Sequence, residues 1–156
     1  MKQTKLKSSD DSAAIEATAL GLLAQREHTQ FELCRKLKSR GYSVSAIQPV
    51  LEKLFQEGWQ SDQRFLEAYI LERASKGYGP LRIANELMQR GLLSNAIEEA
   101  LASAPVDWTE HLKRAYSKKF QDASPADFKE KARQIRFLQY RGFDLSQIQD
   151  VLASID

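Results

Sequence analysis

Two histidines, one cysteine, a glycine-rich turn and scattered carboxylates are the groups in this 156-residue sequence whose types could support chemistry. His28 lies in Arg26-Glu27-His28-Thr29 and His111 follows Glu110 at a helix start; neither has a cysteine or second histidine at metal-ligand spacing. Both read as surface or structural histidines. Cys34 has no partner for an internal disulfide, and Phe31-Glu-Leu-Cys34-Arg-Lys-Leu37 places it with Phe31 and Leu37 on the apolar side of a helix, as an inert core thiol. Lys76-Gly77-Tyr78-Gly79-Pro80 superficially suggests a phosphate cradle. It follows a helical pattern instead of a strand, lacks a third glycine and runs into proline, so it reads as a helix stop and tight turn. Glu98 and Glu99 are adjacent on a helix, pointing in different directions, and read as solvated charges. No nucleotide-binding loop, nucleophile elbow or H-E-x-x-H pair occurs. The expectation is a protein that is not an enzyme, with no catalytic residue, cofactor or metal site.

The elements that would position any site are set by a repeat. Leu37-Lys-Ser-Arg40-Gly41, Leu87-Met-Gln-Arg90-Gly91 and Leu138-Gln-Tyr-Arg141-Gly142 recur at spacings of 50 and 51 residues. Ile47, Ile97 and Ile148 fall seven positions after each arginine, and Leu51, Leu101 and Leu152 eleven after it. Helical spacing precedes each Arg-Gly pair: Phe31, Cys34 and Leu37; Leu81, Ala84 and Leu87; Ile135 and Leu138. The glycine reads as a left-handed helix stop, and the basic residue before it suits the negative end of the helix dipole. Ser45-x-x-Gln48, Asn95-x-x-Glu98 and Ser146-x-x-Gln149 resemble capping boxes for a following helix, with Ser43 and Asp144 as alternative caps. A further helix precedes each pair, over Ala13 to Gln25, Ser61 to Ser75 and Trp108 to Phe120. Thr29-x-x-Glu32 and Asp107-x-x-Glu110 are further capping boxes, while Gly79-Pro80 and Ser124-Pro125 place proline at a first helical turn. The polar stretch Lys118 to Ala126 delays the third unit's middle helix.

The fold class is therefore all-α, with three tandem three-helix repeats forming an elongated, curved array. The boundaries are a flexible N-terminal tail at 1–11 and repeats at 12–58, 59–105 and 106–156. A hydrophobic content of 42% suits one compact domain or a short repeat array. No apolar run approaches membrane-spanning length and the first eleven residues lack a signal-peptide core, so the expected location is the cytoplasm and no membrane partner is expected.

Net charge is only +2, but it is segregated. Residues 110–141 carry nine Lys or Arg against four Asp or Glu, while 91–109 and 142–156 each carry three acids and no base. Such bands favour a charged, oriented partner. A three-helix unit with a glycine turn also outlines a helix-turn-helix, whose last helix must tolerate phosphates. Here Val44 to Glu57 has one base and two acids, and the last helices of the other units, Ser94 to Ala104 and Leu145 to Asp156, have acids and no base. Sequence-specific groove reading is disfavoured. Positive charge sits on the first and middle helices, where it could meet a long acidic surface or an exposed nucleic-acid backbone.

The run Gly58-Trp59-Gln-Ser-Asp62-Gln-Arg64-Phe65-Leu-Glu-Ala-Tyr69-Ile-Leu-Glu-Arg73, followed by Lys76-Gly77-Tyr78-Gly79-Pro80-Leu-Arg82-Ile83-Ala-Asn-Glu-Leu87 and Arg90-Gly91, resembles the RecX family of bacterial regulators. The resemblance covers the chain from about Ala13 onward. It implies a modulator that binds the RecA filament on single-stranded DNA and inhibits RecA ATPase, strand exchange and coprotease activity, in DNA repair, homologous recombination and the SOS response. It assigns no catalytic residue. Asp62, Phe65, Tyr69, Ile83 and Leu87 read as architecture. Arg64, Arg73, Lys76, Arg82 and Arg90 are candidate partner contacts, and the basic stretch of the third unit adds Lys129, Lys131 and Arg133. The expected partner is the RecA filament, with single-stranded DNA within it a further contact, and the expected state is a monomer. The alternative is a nucleic-acid-binding protein acting through backbone contacts without RecA.

Overall fold

A computed structural model describes residues 11–155, and among them the chain is all α-helical. The predicted tail lies outside the described residues except for Asp11, which caps the first helix. The order is α1 Ser12–Gln25, α2 Gln30–Ser39, α3 Val44–Gln56, α4 Asp62–Ser75, α5 Pro80–Gln89, α6 Ser94–Ser103, α7 Trp108–Phe120, α8 Phe128–Arg141 and α9 Leu145–Ser154. The helices α1, α2 and α3 pack on one another, as do α7, α8 and α9, while α5 packs on α6. The chain divides into two compact units. One runs to Phe65 and includes Arg90–Leu92; the other comprises Leu66–Gln89 and Leu93–Asp156.

The repeated isoleucine column is buried in all three units and the leucine column in the first and third, while Leu101 is only partly buried. Ile47 and Leu51 are buried with Ile15, Ala19, Leu22, Leu33 and Leu37. Ile148 and Leu152 are buried with Leu112, Tyr116, Leu138 and Phe143. Removing such side chains from water is the main stabilising term. The leading apolar positions of the middle helices behave otherwise. Phe31 is 47% and Leu81 58% exposed, so the core face of α2 is Leu33 and Leu37, with Cys34 only partly buried beside it. Spacing alone assigned Phe31 to the same face as Cys34, and the helix is rotated from that expectation.

The Arg-Gly pairs end their helices as expected. Gly41, Gly91 and Gly142 have φ of 95°, 83° and 103°. In the first and third units the amide two past the arginine, Tyr42 or Phe143, donates to the carbonyl of Leu37 or Leu138, the Schellman pattern. The helix starts need correction. Caps for α3 and α9 are Ser43 and Asp144, which accept from Ala46 N and Ser146 N, and α6 begins after Leu93 without a side-chain cap. The boxes at Ser45, Asn95 and Ser146 are thus displaced by two residues, because those residues already lie inside their helices. Thr29–Glu32 is a full capping box, and Asp107 accepts from Glu110 N. Ser124-Pro125 does not start α8; Asp127 caps it, accepting from Glu130 N. The connection after α7 is tied down by the Ala123 carbonyl, which accepts from Tyr116 Oη and, at 3.1 Å, from Gln134 Nε2.

Candidate partner-binding surface

Built upward from the helix starts, the first functional geometry is a joint made twice from the same sequence column. Thr29 and Gly79 each lie eleven residues before an arginine of the repeat. Thr29 Oγ1 donates to the carbonyl of Arg90 at 3.0 Å, and Gly79 N donates to the carbonyl of Arg141 at 2.8 Å. Leu81 N adds a bond to Gly142 O at 3.0 Å. The start of one middle helix therefore rests on the Arg-Gly stop of the next. This is why Arg90–Leu92 groups with the first unit. A Cβ on Gly91 would collide with Phe31, and one on Gly142 would meet Arg82, including its backbone N at 2.7 Å. Gly77 is the expected left-handed stop, with φ 89°, and Gly79 lets the turn approach Gly142. The turn's amides are spent on backbone carbonyls, not presented to a phosphate.

The second geometry surrounds two carboxylates: Glu32, which the sequence shows only as part of a capping box, and Glu86, which no sequence motif singled out. Glu32 accepts from Arg26 Nη2 at 2.8 Å, Arg90 Nη1 at 3.1 Å and Thr29 N at 3.3 Å. Glu86 accepts from Tyr69 Oη at 2.7 Å, Arg73 Nη2 at 2.7 Å and Nε at 2.9 Å, and Arg82 Nε at 3.3 Å. Burial acts to raise both carboxyls, but hydrogen bonds from arginine and from Thr29 or Tyr69, with the nearby positive charge, outweigh it and hold both below the usual glutamate range. An i,i+4 or i,i+13 pairing with an arginine was legible in principle. The convergence of four donors on Glu86 needed the packing of α4 on α5.

His28 is 1% exposed and structural. A carbonyl only accepts, so Nδ1 carries the proton to Arg26 O at 2.9 Å and Nε2 accepts from Lys36 Nζ at 2.8 Å. Burial, reinforced by the charges of Arg26 and Lys36, pushes its pKa below the ordinary histidine value. His111 bonds the Asp107 carbonyl through Nδ1. Asp62 accepts from Gln30 N and Gln60 Nε2, both at 2.9 Å, so it braces the start of α2 as well as its own helix. Among the described residues no group of His, Cys, Asp and Glu has the arrangement to hold a metal ion.

The candidate cations fall into two kinds. Arg73, Arg82 and Arg90 are bound into the Glu86 and Glu32 clusters, with side chains only 20%, 29% and 36% exposed. Arg82 also stacks 4.4 Å from the Tyr78 ring and 5.0 Å from the Tyr140 ring. Arg64 pairs with Glu27 and donates to the carbonyls of Gly58 and Trp59, closing the turn into α4. Lys76, just past the end of α4, and Arg133, within α8, make exposed local pairs with Glu72 and Glu130. Lys129 and Lys131 are exposed and form no salt bridge among the described residues. Exposed pairs contribute little to stability and can be exchanged for a partner's carboxylates or phosphates; a half-buried cluster with four donors cannot be opened so easily.

Comparison with known proteins places this arrangement. Models described as the first, second and third three-helix domains of RecX match residues 17–54, 61–101 and 106–152 in that order. The regulatory protein RecX of Pseudomonas savastanoi pv. phaseolicola is 46% identical over 144 residues, covering 92% of this chain and 93% of the relative. That of Pseudomonas putida (strain GB-1) is 46% identical over 147 residues, covering 94% of each. The crystal structure of RecX from Lactobacillus salivarius superposes with a TM-score of 0.83 at 22% identity, covering 95% of this chain and 98% of that one. A second crystal structure of regulatory protein RecX gives 0.78 at 20% identity, over 93% of this chain and 74% of that one. Three family domains in sequence, with close relatives across almost the whole length, establish that the chain belongs to the RecX family of regulatory proteins.

Proposed function

We propose that this regulatory protein binds the RecA filament on single-stranded DNA and inhibits its ATPase, strand-exchange and coprotease activities, acting in the cytoplasm in recombination, repair and the SOS response. The observation that carries this reading is the ordered match of three RecX domains. Of the candidate cations, Lys76, Lys129, Lys131 and Arg133 have most freedom to meet a polyanionic or acidic partner, and Arg64 is a further exposed contact. Arg73, Arg82 and Arg90 contribute from fixed positions within their carboxylate clusters. Successive contacts on a repetitive filament gain effective concentration from one another. The test is the ATPase of RecA stimulated by single-stranded DNA, measured with this protein in several-fold excess; an unchanged rate refutes the proposal.

One observation favours the alternative, direct nucleic-acid binding without RecA. The Tyr140 ring is 74% exposed and backed by Arg82, which also stacks on Tyr78, a combination suited to a base and its phosphate. That reading expects fluorescence anisotropy to show single-strand binding without RecA that weakens steeply with salt.

A further inference from the structure

The two internal joints share an acceptor, and a third acceptor is present without an occupant among the described residues. At Gly91 and Gly142 the left-handed stop is covered by the first turn of another middle helix. Gly41 has the same conformation, φ 95°, in the same column, yet no heavy atom of the described residues lies within 4 Å of a Cβ placed on it. Arg40 beside it is exposed and forms no salt bridge among the described residues, whereas its counterpart Arg90 pairs with Glu32 of the arriving helix.

A matching donor stands elsewhere in the chain. The middle helix α8 of the third unit has 14 residues where α2 and α5 have 10, so its start extends beyond the core. That start shares the aromatic ring and third-position glutamate of α2, while its cap, the Asp127 carboxylate, cannot donate to a carbonyl as Thr29 Oγ1 does. In α2 a capping Thr29 is followed by Phe31 and then Glu32 at the third helical position; in α8 a capping Asp127 is followed by Phe128 and then Glu130 at the third. The aromatic ring comes one position earlier, and Glu130 is held by Arg133 just as Glu32 is held by Arg26. Phe128 is 91% exposed, well beyond the 47% of Phe31. Such an exposed aromatic ring gains by being covered.

We propose that the Arg40–Gly41 stop of one copy receives the first turn of α8 of a second copy, with Phe128 over Gly41 and Glu130 toward Arg40. The contact repeats the Phe31–Gly91 and Glu32–Arg90 joint between molecules. Because the two surfaces differ, the association is heterologous: each copy keeps an unused donor or acceptor, and copies can chain. The inference stands independently of the RecA reading, since its test contains no other protein. A contact this small supports a dissociation constant on the order of 1 mM or somewhat below.

Sedimentation velocity of the full chain across a concentration series reads the effect. The unaltered protein gains mass with concentration. Phe128→Ser removes the donor and leaves the acceptor; Arg40→Glu removes the acceptor and leaves the donor. Both positions are exposed, and circular dichroism melts establish that each variant is folded. Each variant alone stays monomeric, while an equimolar mixture forms a one-to-one dimer and nothing larger. If the unaltered protein stays monomeric at millimolar concentration, if either variant alone associates as it does, or if the mixture fails to dimerise, the proposal is wrong.

Discussion

The same substitution at equivalent glycines separates the cost of a helix stop from the cost of a joint. Replacing Gly41 by alanine forces a left-handed backbone on a residue with a Cβ, worth about 1–2 kcal/mol, and adds no collision, because nothing described lies within 4 Å. Gly142→Ala carries the same backbone cost, with φ 103°, and also drives a methyl into Arg82, whose backbone N is 2.7 Å and Cα 3.0 Å from the new atom. A backbone atom cannot swing aside as a side-chain end can, so overpacking adds about 1–3 kcal/mol, for a total of about 2–5 kcal/mol. Gly91→Ala falls between the two, since it strikes the Phe31 side chain. For a chain of this size each kcal/mol lowers Tm by about 2–4 °C, so melts followed by circular dichroism should rank Gly142→Ala below Gly91→Ala and Gly41→Ala highest. Hydrogen exchange supplies a local reading. The amides of Gly79 and Leu81 donate to Arg141 O and Gly142 O, so they should lose protection in Gly142→Ala and keep it in Gly41→Ala. If Gly41→Ala costs as much as Gly142→Ala, or the two amides keep their protection, the docking role of the repeated glycine is refuted.

Three further outcomes follow from the charges. Glu86 is ionised below its ordinary range in the folded chain, so its stabilisation is complete above the unfolded value of 4.5 and is lost as pH falls through the lower folded value; Glu86→Gln should cost about 1–3 kcal/mol at neutral pH by denaturant titration and flatten the acid limb, since Arg73 loses its counter-charge. His28 is held neutral, so its contribution is full above about pH 6.5 and declines as pH falls through its lower folded pKa; NMR titration should show the imidazole protonating below the ordinary histidine value, and an ordinary or raised pKa would contradict its bonding to Arg26 O. Reversing Lys129, Lys131 and Arg133 together should weaken inhibition of the RecA ATPase and leave the melt within a few degrees, while reversing Arg73, Arg82 and Arg90 should also destabilise the fold, because these three sit in the Glu86 and Glu32 clusters; if neither triple variant loses inhibition, the cationic surface is not the contact.

Much of the helical architecture was legible because its signals are local. The columns at Ile47, Ile97 and Ile148 mark core faces at a 3.6-residue period, and a glycine after a basic helix end is a stop whatever surrounds it. Cap positions were less legible. Ser43 and Ser45 are both chemically able to cap α3, and the backbone geometry at Ser43 decided between them. The exposed Phe31 and Leu81 could not be distinguished from core residues by spacing, since a residue covering a neighbouring helix stop carries the same apolar side chain as one facing a core.

The candidate surface was less visible still. Counting charges identified Arg73, Arg82 and Lys129 as alike, and the sequence by itself determined only that these cations lie on helices, in bands, in a protein built of three helical units. Their environments differ because Coulombic and hydrogen-bond energies depend on distance and burial, which only tertiary packing specifies. Tertiary structure placed Glu86 among four donors, left Lys129 exposed, and turned Gly91 and Gly142 from helix stops into docking points within the chain, while Gly41, in the same Leu-x-x-Arg-Gly column and with a similar φ, meets no other described residue.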